Sequence, residues 1–397
     1  MEELDFPLTK IKEGEIEVFI PDPSKFREAY SLTPSLLPVF FNPIMDLNRD
    51  FAVLAVQAFQ DEKARPITVC EPLAGCGVRG LRFAREVNGV EKVVVNDLNS
   101  KAYRLTLENI KLNRMEDIVE AYNEDANLLL SRYAKRGCRF DVIDIDPFGS
   151  PVPYLNSALR AIKNGGLLCV TATDTAVLCG AHFKACIRHY GAKPLKTEYC
   201  HELAVRILLG FLVSLAAKID LAVQPVFCHS TNHYVRVYVK VFRGAKKADH
   251  ALNQLGYVFH CFKCLNRRIT VGLYPQLQKC EFCGEQMDFA GPLWIGKLWD
   301  KETVKKMFNL LEVKKFNRKK LVKKIIEKIF LEVDGPPTYY VLSHFCDFLN
   351  ILTPPYQATI KKILEKGYYA TPTHFNPQGI RTNASVNILK EVLLEKD

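Results

Sequence analysis

The first half of the chain alternates short apolar runs with stretches in which apolar residues recur at helical spacing. Four runs have the composition of buried parallel strands: 67–70, 93–96, 140–145 and 167–171. Helical spacing lies between them, over 81–87, 103–113 and 153–163. This alternation predicts a doubly wound α/β sheet. Two later runs, 221–227 and 234–242, are predicted to add the last strands of that sheet.

The pattern changes after position 242. A polar turn at 243–247 leads into a segment with four regularly spaced cysteines, and 301–328 is a helical stretch with eleven Lys/Arg and three Glu. Proline pairs at 336–337 and 354–355 interrupt the C-terminal part of the chain. We therefore predict three parts, which are an α/β domain over 1–255, a cysteine hairpin over 256–290 and a smaller, basic α+β domain over 291–397.

The charge balance indicates the kind of partner. The sequence has 54 Lys+Arg against 44 Asp+Glu, a formal net charge of +10, which favours a polyanion such as nucleic acid. No signal-peptide pattern opens the sequence, and its longest apolar run, 207–217, is too short to span a bilayer. We expect a cytoplasmic protein that does not associate with membranes and needs no obligate protein partner.

A glycine-rich turn follows the first predicted strand. Gly75, Gly77 and Gly80 fit G-x-G-x-x-G between a strand and a helix, where a nucleotide cofactor can approach the backbone closely. Asp97 ends the next strand, and its carboxylate can accept hydrogen bonds from ribose hydroxyls. These features are compatible with a dehydrogenase as well as with a methyltransferase.

The end of the run 140–145 separates these two classes. There Asp146 is followed by Pro147 and Phe148, at a strand end where an open α/β sheet binds its ligands. The amino nitrogen of a nucleobase is a poor nucleophile because its lone pair is delocalised into the ring. A carboxylate and a carbonyl that accept its two N–H hydrogens can direct that lone pair at a methyl group, while an aromatic ring stacks on the base. The motif therefore predicts amino-group methylation.

These motifs, taken together, resemble the tRNA guanine-26 N2-dimethyltransferases. The matching stretches are 40–43 (FFNP), 48–50 (NRD), 146–150 (DPFGS), 171–174 (TATD), 178–182 (LCGAH), 200–202 (CHE), 373–377 (THFNP) and 379–382 (GIRT). The resemblance extends over roughly residues 40 to 385. It implies a Rossmann-like class I methyltransferase that uses S-adenosyl-L-methionine, with tRNA as its partner.

The resemblance also implies roles for individual residues. The cofactor-binding set is Arg49, Gly75, Gly77, Arg79, Asp97, Asp125 and Ala126. In this set the pair 125–126 is expected beside the adenine ring. The catalytic set is Asp146 as the acceptor of the guanine amino group, Phe148 as the stacking ring and Phe40 as a second aromatic wall. The motifs leave open whether one or two methyl groups are added and whether a neighbouring guanine is also modified.

Thirteen cysteines occur in the sequence, and four of them form a pattern. Cys261 and Cys264, then Cys280 and Cys283, are two C-x-x-C knuckles separated by fifteen residues, a spacing that suits a closed, structural zinc site. An iron–sulfur cluster is the less favoured alternative. Cys179 and Cys186 are predicted to be small buried residues.

The densest positive segment is 314–324, in the predicted helix. We interpret it as a surface that follows the phosphates of tRNA. Two other functions stay open: an adenine N6-methyltransferase acting on RNA or DNA, and a non-catalytic, zinc-bearing RNA-binding protein.

Overall fold

The computed structural model describes residues 4–32, 34–231, 233–272, 274–276 and 278–395. The chain forms two compact units. The first comprises 1–171, 238–243 and 302–326, and the second comprises 172–237, 244–301 and 327–397. Because each unit is assembled from separate stretches, these bounds differ from the contiguous division at 255 and 290. The division into functional domains stays a prediction.

An antiparallel hairpin, a set of helices and five parallel strands make up most of the first unit. In chain order its elements are β1 (Leu8–Glu13), β2 (Ile16–Pro21), α1 (Arg27–Leu32), α2 (Asp46–Lys63), β3 (Ile67–Glu71), α3 (Val78–Glu86), β4 (Val90–Asn96), α4 (Ser100–Leu112), β5 (Val119–Tyr122), α5 (Ala126–Tyr133), β6 (Phe140–Ile145), α6 (Val152–Ala161) and β7 (Ile162–Ala172). The four predicted strands are confirmed as β3, β4, β6 and β7. The short strand β5 was not predicted.

The elements after β7 lie mostly in the second unit, although 238–243 and 302–326 belong to the first. They continue in chain order with α7 (Thr175–Leu178), α8 (Phe183–Tyr190), α9 (Cys200–Ala217), β8 (Leu221–Thr231), β9 (Tyr234–Arg243), α10 (Ala245–Leu252), β10 (Leu255–His260), β11 (Arg267–Val271), β12 (Asp288–Trp294), α11 (Lys301–Val313), α12 (Lys319–Glu332), β13 (Tyr340–Val341), α13 (Leu342–Leu349), α14 (Tyr356–Glu365), β14 (Ala370–Pro372), β15 (Gly379–Thr382) and α15 (Val386–Leu394). Two three-stranded sheets are ordered β11-β10-β12 and β13-β15-β14.

The large sheet has the order β5-β4-β3-β6-β7-β9-β8, so the later runs are strands of the same sheet, as predicted. Strand β3 pairs in parallel with both β4 and β6. The chain therefore winds outward from β3 in two directions, and the carboxyl ends of β3 and β6 border the switch point where such sheets bind ligands. Every residue of β6 is buried, as expected for a central parallel strand.

The predicted helical stretch 301–328 is wrong in one respect, because it is two helices with a break at 314–318. Side chains of the break are used inside the first unit. Phe316 is buried beneath the guanidinium of Arg82, 5.5 Å from ring centroid to Cζ, and Arg318 pairs with Asp46 at 2.9 Å. The Nζ of Lys314 donates to the carbonyl of Glu86. Part of the predicted positive surface therefore holds the unit together.

Helix α9 is long and apolar enough to cross a membrane by length and composition, and it is longer than the apolar run seen in the sequence. About two thirds of it is buried inside the protein. It also contains the buried ion pair between Glu202 and Arg206, at 2.8 Å. These side chains form part of the core of the second unit. The cytoplasmic location stays a prediction.

Candidate functional site

The glycine-rich loop joins β3 to α3 at the switch point. Gly75 and Gly77 have φ angles of +56° and +76°, in the left-handed region that glycine adopts at little cost. A Cβ on Gly75 would lie 2.9 Å from the carbonyl oxygen of Phe40, and one on Gly77 would lie 2.8 Å from the Cγ2 of Thr106. Both glycines are therefore required by conformation and by close neighbours.

Asp97 follows β4 and is joined directly to this loop. Its carboxylate accepts the backbone N–H of Gly75 at 2.8 Å and that of Asn99 at 2.9 Å. Burial raises the pKa of Asp97, and these two N–H groups act in the opposite direction. The structure thus brings together the glycine loop and the acid that the sequence assigns to one cofactor site.

Asp125 and Ala126 lie between the end of β5 and the first turn of α5, and β5 pairs with β4. The carboxylate of Asp125 accepts the N–H groups of Asn127 and Leu128 at 2.8 and 3.1 Å, so it caps the helix. Asp125 is exposed and Ala126 is buried. The carboxyl ends of β4 and β5 therefore present two acids on neighbouring strands.

Asn96 holds these strand ends together and was not predicted. Its side-chain amide donates to the carbonyl oxygens of Pro72 and Glu124 at 2.9 and 3.0 Å, and its oxygen accepts the N–H of Glu124 at 3.1 Å. Asn96 is fully buried, so these bonds connect three strand ends away from water. Asn96 directly precedes Asp97 at the end of a strand, and this position in the sequence could have indicated that it belongs to the site.

Arg79 lies in the first turn of α3 and binds the acids at the ends of β3 and β6. Its guanidinium contacts Asp146, lies 3.3 Å from Glu71 and 3.8 Å from Asp144, and donates to the side chain of Asn48 at 2.8 Å. Arg79 is buried, so little water screens these charges. The structure places Arg79 on the catalytic candidate Asp146, and its predicted contact with the cofactor stays a prediction.

Glu71, at the end of β3, is a site residue that the sequence reasoning missed. Burial raises the pKa of this carboxyl to about 8. The positive charge of Arg79 acts in the opposite direction, and the negative charge of Asp144 adds to the increase. It also accepts the N–H of Gly80 at 2.8 Å. When Glu71 is protonated it carries no charge, and the positive charge of Arg79 is then balanced by Asp144 and Asp146. Its signal was an acid at a strand end directly before the glycine loop.

Arg49 is buried in α2 and pairs with Glu13 at the end of β1. Its Nε and Nη2 atoms lie 2.5 and 2.7 Å from the two carboxylate oxygens of Glu13, which is a bidentate pair. Nη2 also donates to the carbonyl of Asn42 at 3.3 Å. Glu13 had no signal in the sequence, because its partner is 36 residues away. The role of Arg49 in cofactor binding stays a prediction.

Phe40 and Phe148 form an aromatic pair beside Asp146. Their ring centroids are 4.5 Å apart at an interplanar angle of 87°. Pro147 is buried and Asp146 is partly accessible, whereas Phe148 is 59% exposed. An exposed ring of this size next to an accessible carboxylate is available to a planar ligand. The structure therefore brings together the three residues of the predicted catalytic set.

The four patterned cysteines converge in the second unit. Their sulfur atoms all lie within 4.8 Å of one another, and the pairs Cys261–Cys283 and Cys264–Cys280 are each 3.4 Å apart. Zinc–sulfur bonds of about 2.3 Å at tetrahedral angles place sulfur atoms about 3.8 Å apart. The amide of Asn266 also points at the Sγ of Cys280, 3.7 Å away. The cluster fits a tetrahedral metal ion with four thiolates.

The two knuckles have the same backbone geometry. Leu265 donates its N–H to the carbonyl of Cys261, and Gly284 donates to that of Cys280, both at 2.8 Å. Leu265 and Gly284 each have a positive φ, +63° and +73°. Each C-x-x-C segment therefore turns back on itself and points both of its sulfur atoms at the opposite knuckle.

The switch point of the sheet thus carries a glycine loop and acids suited to a nucleotide-type cofactor. One strand away lies an acid beside an aromatic pair, of which the Phe148 ring is exposed. Three features occupy the carboxyl edge of the same parallel strands: the glycine loop, the acids at the strand ends and the acid–proline–aromatic motif. This arrangement defines a Rossmann-like methyltransferase of class I, in agreement with the predicted fold.

The chain belongs to the N2,N2-dimethylguanosine tRNA methyltransferase family, whose sequence profile matches residues 14–394. It is 40% identical over 386 residues to the tRNA (guanine(26)-N(2))-dimethyltransferase of Methanosphaera stadtmanae, covering 97% of this chain and 96% of that protein. It is 39% identical over 380 residues to the tRNA (guanine(26)-N(2)/guanine(27)-N(2))-dimethyltransferase of Aquifex aeolicus, with 94% and 93% covered.

A solved structure agrees with these relatives. Trm1 from Pyrococcus horikoshii, in a complex with S-adenosyl-L-methionine, superposes with a TM-score of 0.86 at 35% identity. The match covers 97% of this chain and 99% of that one. The predicted family is therefore confirmed.

Proposed function

We propose that this chain transfers methyl groups from S-adenosyl-L-methionine to the exocyclic N2 of guanine 26 in tRNA, and that it adds two. The observation that carries the proposal is the convergence of Asp146, Phe148 and Phe40 beside the glycine loop. Family membership supports both the substrate and the dimethyl product. The Aquifex relative makes guanine 27 a second candidate position.

The residues at the carboxyl edge of the sheet fit the cofactor. Asp97 would hold the ribose hydroxyls, the backbone of Gly75 and Gly77 would allow close approach, and the pair Asp125–Ala126 would lie beside the adenine. The cofactor supplies an electrophilic methyl group on a sulfonium centre. Because three strand ends are tied by Asn96, these groups are positioned before anything binds.

The base is recognised by a carboxylate and two rings. Arg79 contacts Oδ2 of Asp146, and this orientation offers Oδ1 as an acceptor for one N–H of the guanine amino group, while a backbone carbonyl would accept the other. Accepting those hydrogens directs the nitrogen lone pair away from the ring system. Phe148 would stack on the base, and Phe40, whose ring plane is nearly perpendicular to that of Phe148, would limit the movement of the Phe148 ring. Arg79 acts here as a positioning residue.

We propose that tRNA lies on the exposed lysines of α12. Lys320 and Lys324 are exposed, so their ammonium groups remain for phosphates, whereas Lys323 pairs with Glu312 at 3.6 Å and Lys314 and Arg318 are used internally. Phosphate contacts of this kind position a nucleic acid without reading its sequence.

The test of the proposed function is methyl transfer from labelled cofactor to unmodified tRNA transcripts, followed by nucleoside analysis. We expect N2,N2-dimethylguanosine with a transcript that has guanine at 26 and no product there with adenine at 26. Transcripts with and without guanine at 27 decide whether that position is also used.

Methylated adenine in these transcripts, or in duplex DNA, would replace the proposal with an adenine N6-methyltransferase. Cofactor binding without any methyl transfer would favour the non-catalytic RNA-binding protein. If calorimetry shows that the wild-type protein does not bind S-adenosyl-L-methionine, the assignment of the glycine loop is contradicted.

We propose that the four-cysteine cluster holds a structural zinc ion, since four thiolates leave no coordination position for chemistry. Cys280→Ser replaces a thiolate with a hydroxyl that binds zinc poorly. We expect the variant to lose one zinc per chain by elemental analysis and to unfold at lower temperature. Iron in place of zinc, with visible absorption of the purified protein, would contradict the assignment.

A further inference from the structure

A second group of metal-ligating side chains lies in the second unit. Cys179 directly follows α7, whereas Cys200 and His201 are the first two residues of α9. The ligand atoms of all three lie within 4.8 Å of one another, and the Sγ of Cys179 is 3.8 Å from the Nδ1 of His201. All three residues are partly accessible to solvent. Cys186, which lies nearby in the sequence, is fully buried.

The spacing suits zinc. Bonds of about 2.3 Å to sulfur and about 2.0 Å to imidazole nitrogen, at tetrahedral angles, place sulfur about 3.5 Å from nitrogen. The observed 3.8 Å between Cys179 and His201 is a few tenths of an ångström longer, which small side-chain rotations can close. Zinc also binds to sets of two thiolates and one imidazole in sites where its fourth coordination position is left for water or a substrate.

The first turn of α9 favours the charged form of one ligand. Cys200 opens an 18-residue helix, and Tyr199, the residue before it, supplies no side-chain cap. The positive end of the helix dipole at this turn stabilises a thiolate. Cys179, in turn, is held by its backbone N–H, which donates to the carbonyl of Thr175 at 2.7 Å. Both cysteines therefore have fixed backbones.

A disulfide is the competing interpretation, because Cys179 and Cys200 are close enough to react. It would use two of the three groups and give the imidazole no part, although Nδ1 of His201 is directed at the sulfur of Cys179. A metal ion uses all three. We propose that Cys179, Cys200 and His201 bind a second zinc ion with a fourth coordination position open to water.

This zinc joins the end of α7 to the first turn of α9, and its open position makes it exchange faster than an ion enclosed by four thiolates. The inference depends neither on the four-cysteine site nor on methyl transfer, because its ligands are separate from both.

The test is elemental analysis of the full chain purified under reducing conditions. We expect two zinc ions per wild-type chain and one in the Cys200→Ser variant. Cys186→Ser is the matched control, because it removes a buried cysteine of the same unit that is outside the cluster, and it should retain both ions. Cys280→Ser should also retain one, at the second site.

Cobalt substitution identifies the ligands. In the Cys280→Ser background, loaded with one cobalt ion per chain, thiolate-to-cobalt charge-transfer absorption should persist, and it should fall when Cys200→Ser is added but not when Cys186→Ser is added. If that background does not fold, the comparison of Cys200→Ser with Cys186→Ser stands on its own. One zinc in the wild type with no change in Cys200→Ser would overturn the proposal. So would two fewer free thiols than the thirteen cysteines of the sequence, counted in wild type purified without reductant and denatured with a chelator, because that result indicates a Cys179–Cys200 disulfide.

Discussion

Asp146→Asn is expected to lower kcat for methyl transfer to tRNA by about 10²- to 10⁴-fold and to leave the Kd for S-adenosyl-L-methionine nearly unchanged. Arginine can only donate hydrogen bonds, so the amide oxygen of the new side chain must turn toward Arg79. Its NH2 group then faces the guanine amino group, where two donors meet and no acceptor remains. Single-turnover kinetics with labelled cofactor, together with calorimetry, measure the two quantities.

The fold of this variant should be retained, because Arg79 keeps its contacts with Glu71 and Asp144. Asp125→Asn is the matched comparison, since asparagine also caps helices and only the charge at the cofactor site is lost. It should raise the Kd for the cofactor and leave kcat at saturation close to that of the wild type. An Asp146→Asn enzyme whose kcat stays within about tenfold of the wild type would refute the catalytic assignment.

Local patterns were sufficient for the parts of the site that come directly after a strand end. The glycine loop, Asp97 and Asp146 each come right after a buried apolar run, and parallel strands bring their carboxyl ends to one edge. Strand β5 escaped prediction because its four residues include the charged Glu120. The break between α11 and α12 escaped because apolar spacing cannot show that Phe316 leaves the helix to pack elsewhere.

Partners distant in the sequence could not be predicted. Nothing in the local sequence of Arg49 points to Glu13, and nothing in that of Arg79 distinguishes a cofactor contact from the acids it binds. The same limit applies to Cys179, which local reasoning assigned to the core because its partners, Cys200 and His201, lie on a different helix. Charge pairing across a fold depends on the tertiary arrangement, and one sequence does not display it.

The second unit contains a buried charge network that the sequence also did not reveal. The carboxylate of Glu202 accepts from Arg381 at 2.8 Å, from Arg206 at 2.8 Å and from the backbone of Thr338 at 2.9 Å. Arg381 also donates to Glu332 at 2.9 Å. Glu202, Arg381 and Glu332 are fully buried, and Arg206 nearly so. Two guanidinium groups thus share two carboxylates in the absence of solvent.

Glu202→Gln is expected to lower the free energy of unfolding of the second unit by about 3–5 kcal/mol, because it leaves one buried positive charge without its counterion. Both tryptophans of the chain, Trp294 and Trp299, belong to this unit. Tryptophan fluorescence during urea unfolding therefore reports on the unit that carries the change. Glu365→Gln is the control, since its ion pair with Lys361 is exposed and worth at most about 0.5 kcal/mol.

The effect should depend on pH in a defined direction. Burial opposes ionisation of Glu202, but Arg381 and Arg206 outweigh it and lower its pKa to about 2, below the ordinary 4.5. The stability that this carboxylate contributes is present above pH 4.5 and is lost as the pH falls toward 2. The difference between wild type and Glu202→Gln should therefore shrink as the pH falls through that range. A difference that is small at about pH 7, or constant down to about pH 3, would show that the ionised network does not stabilise the unit.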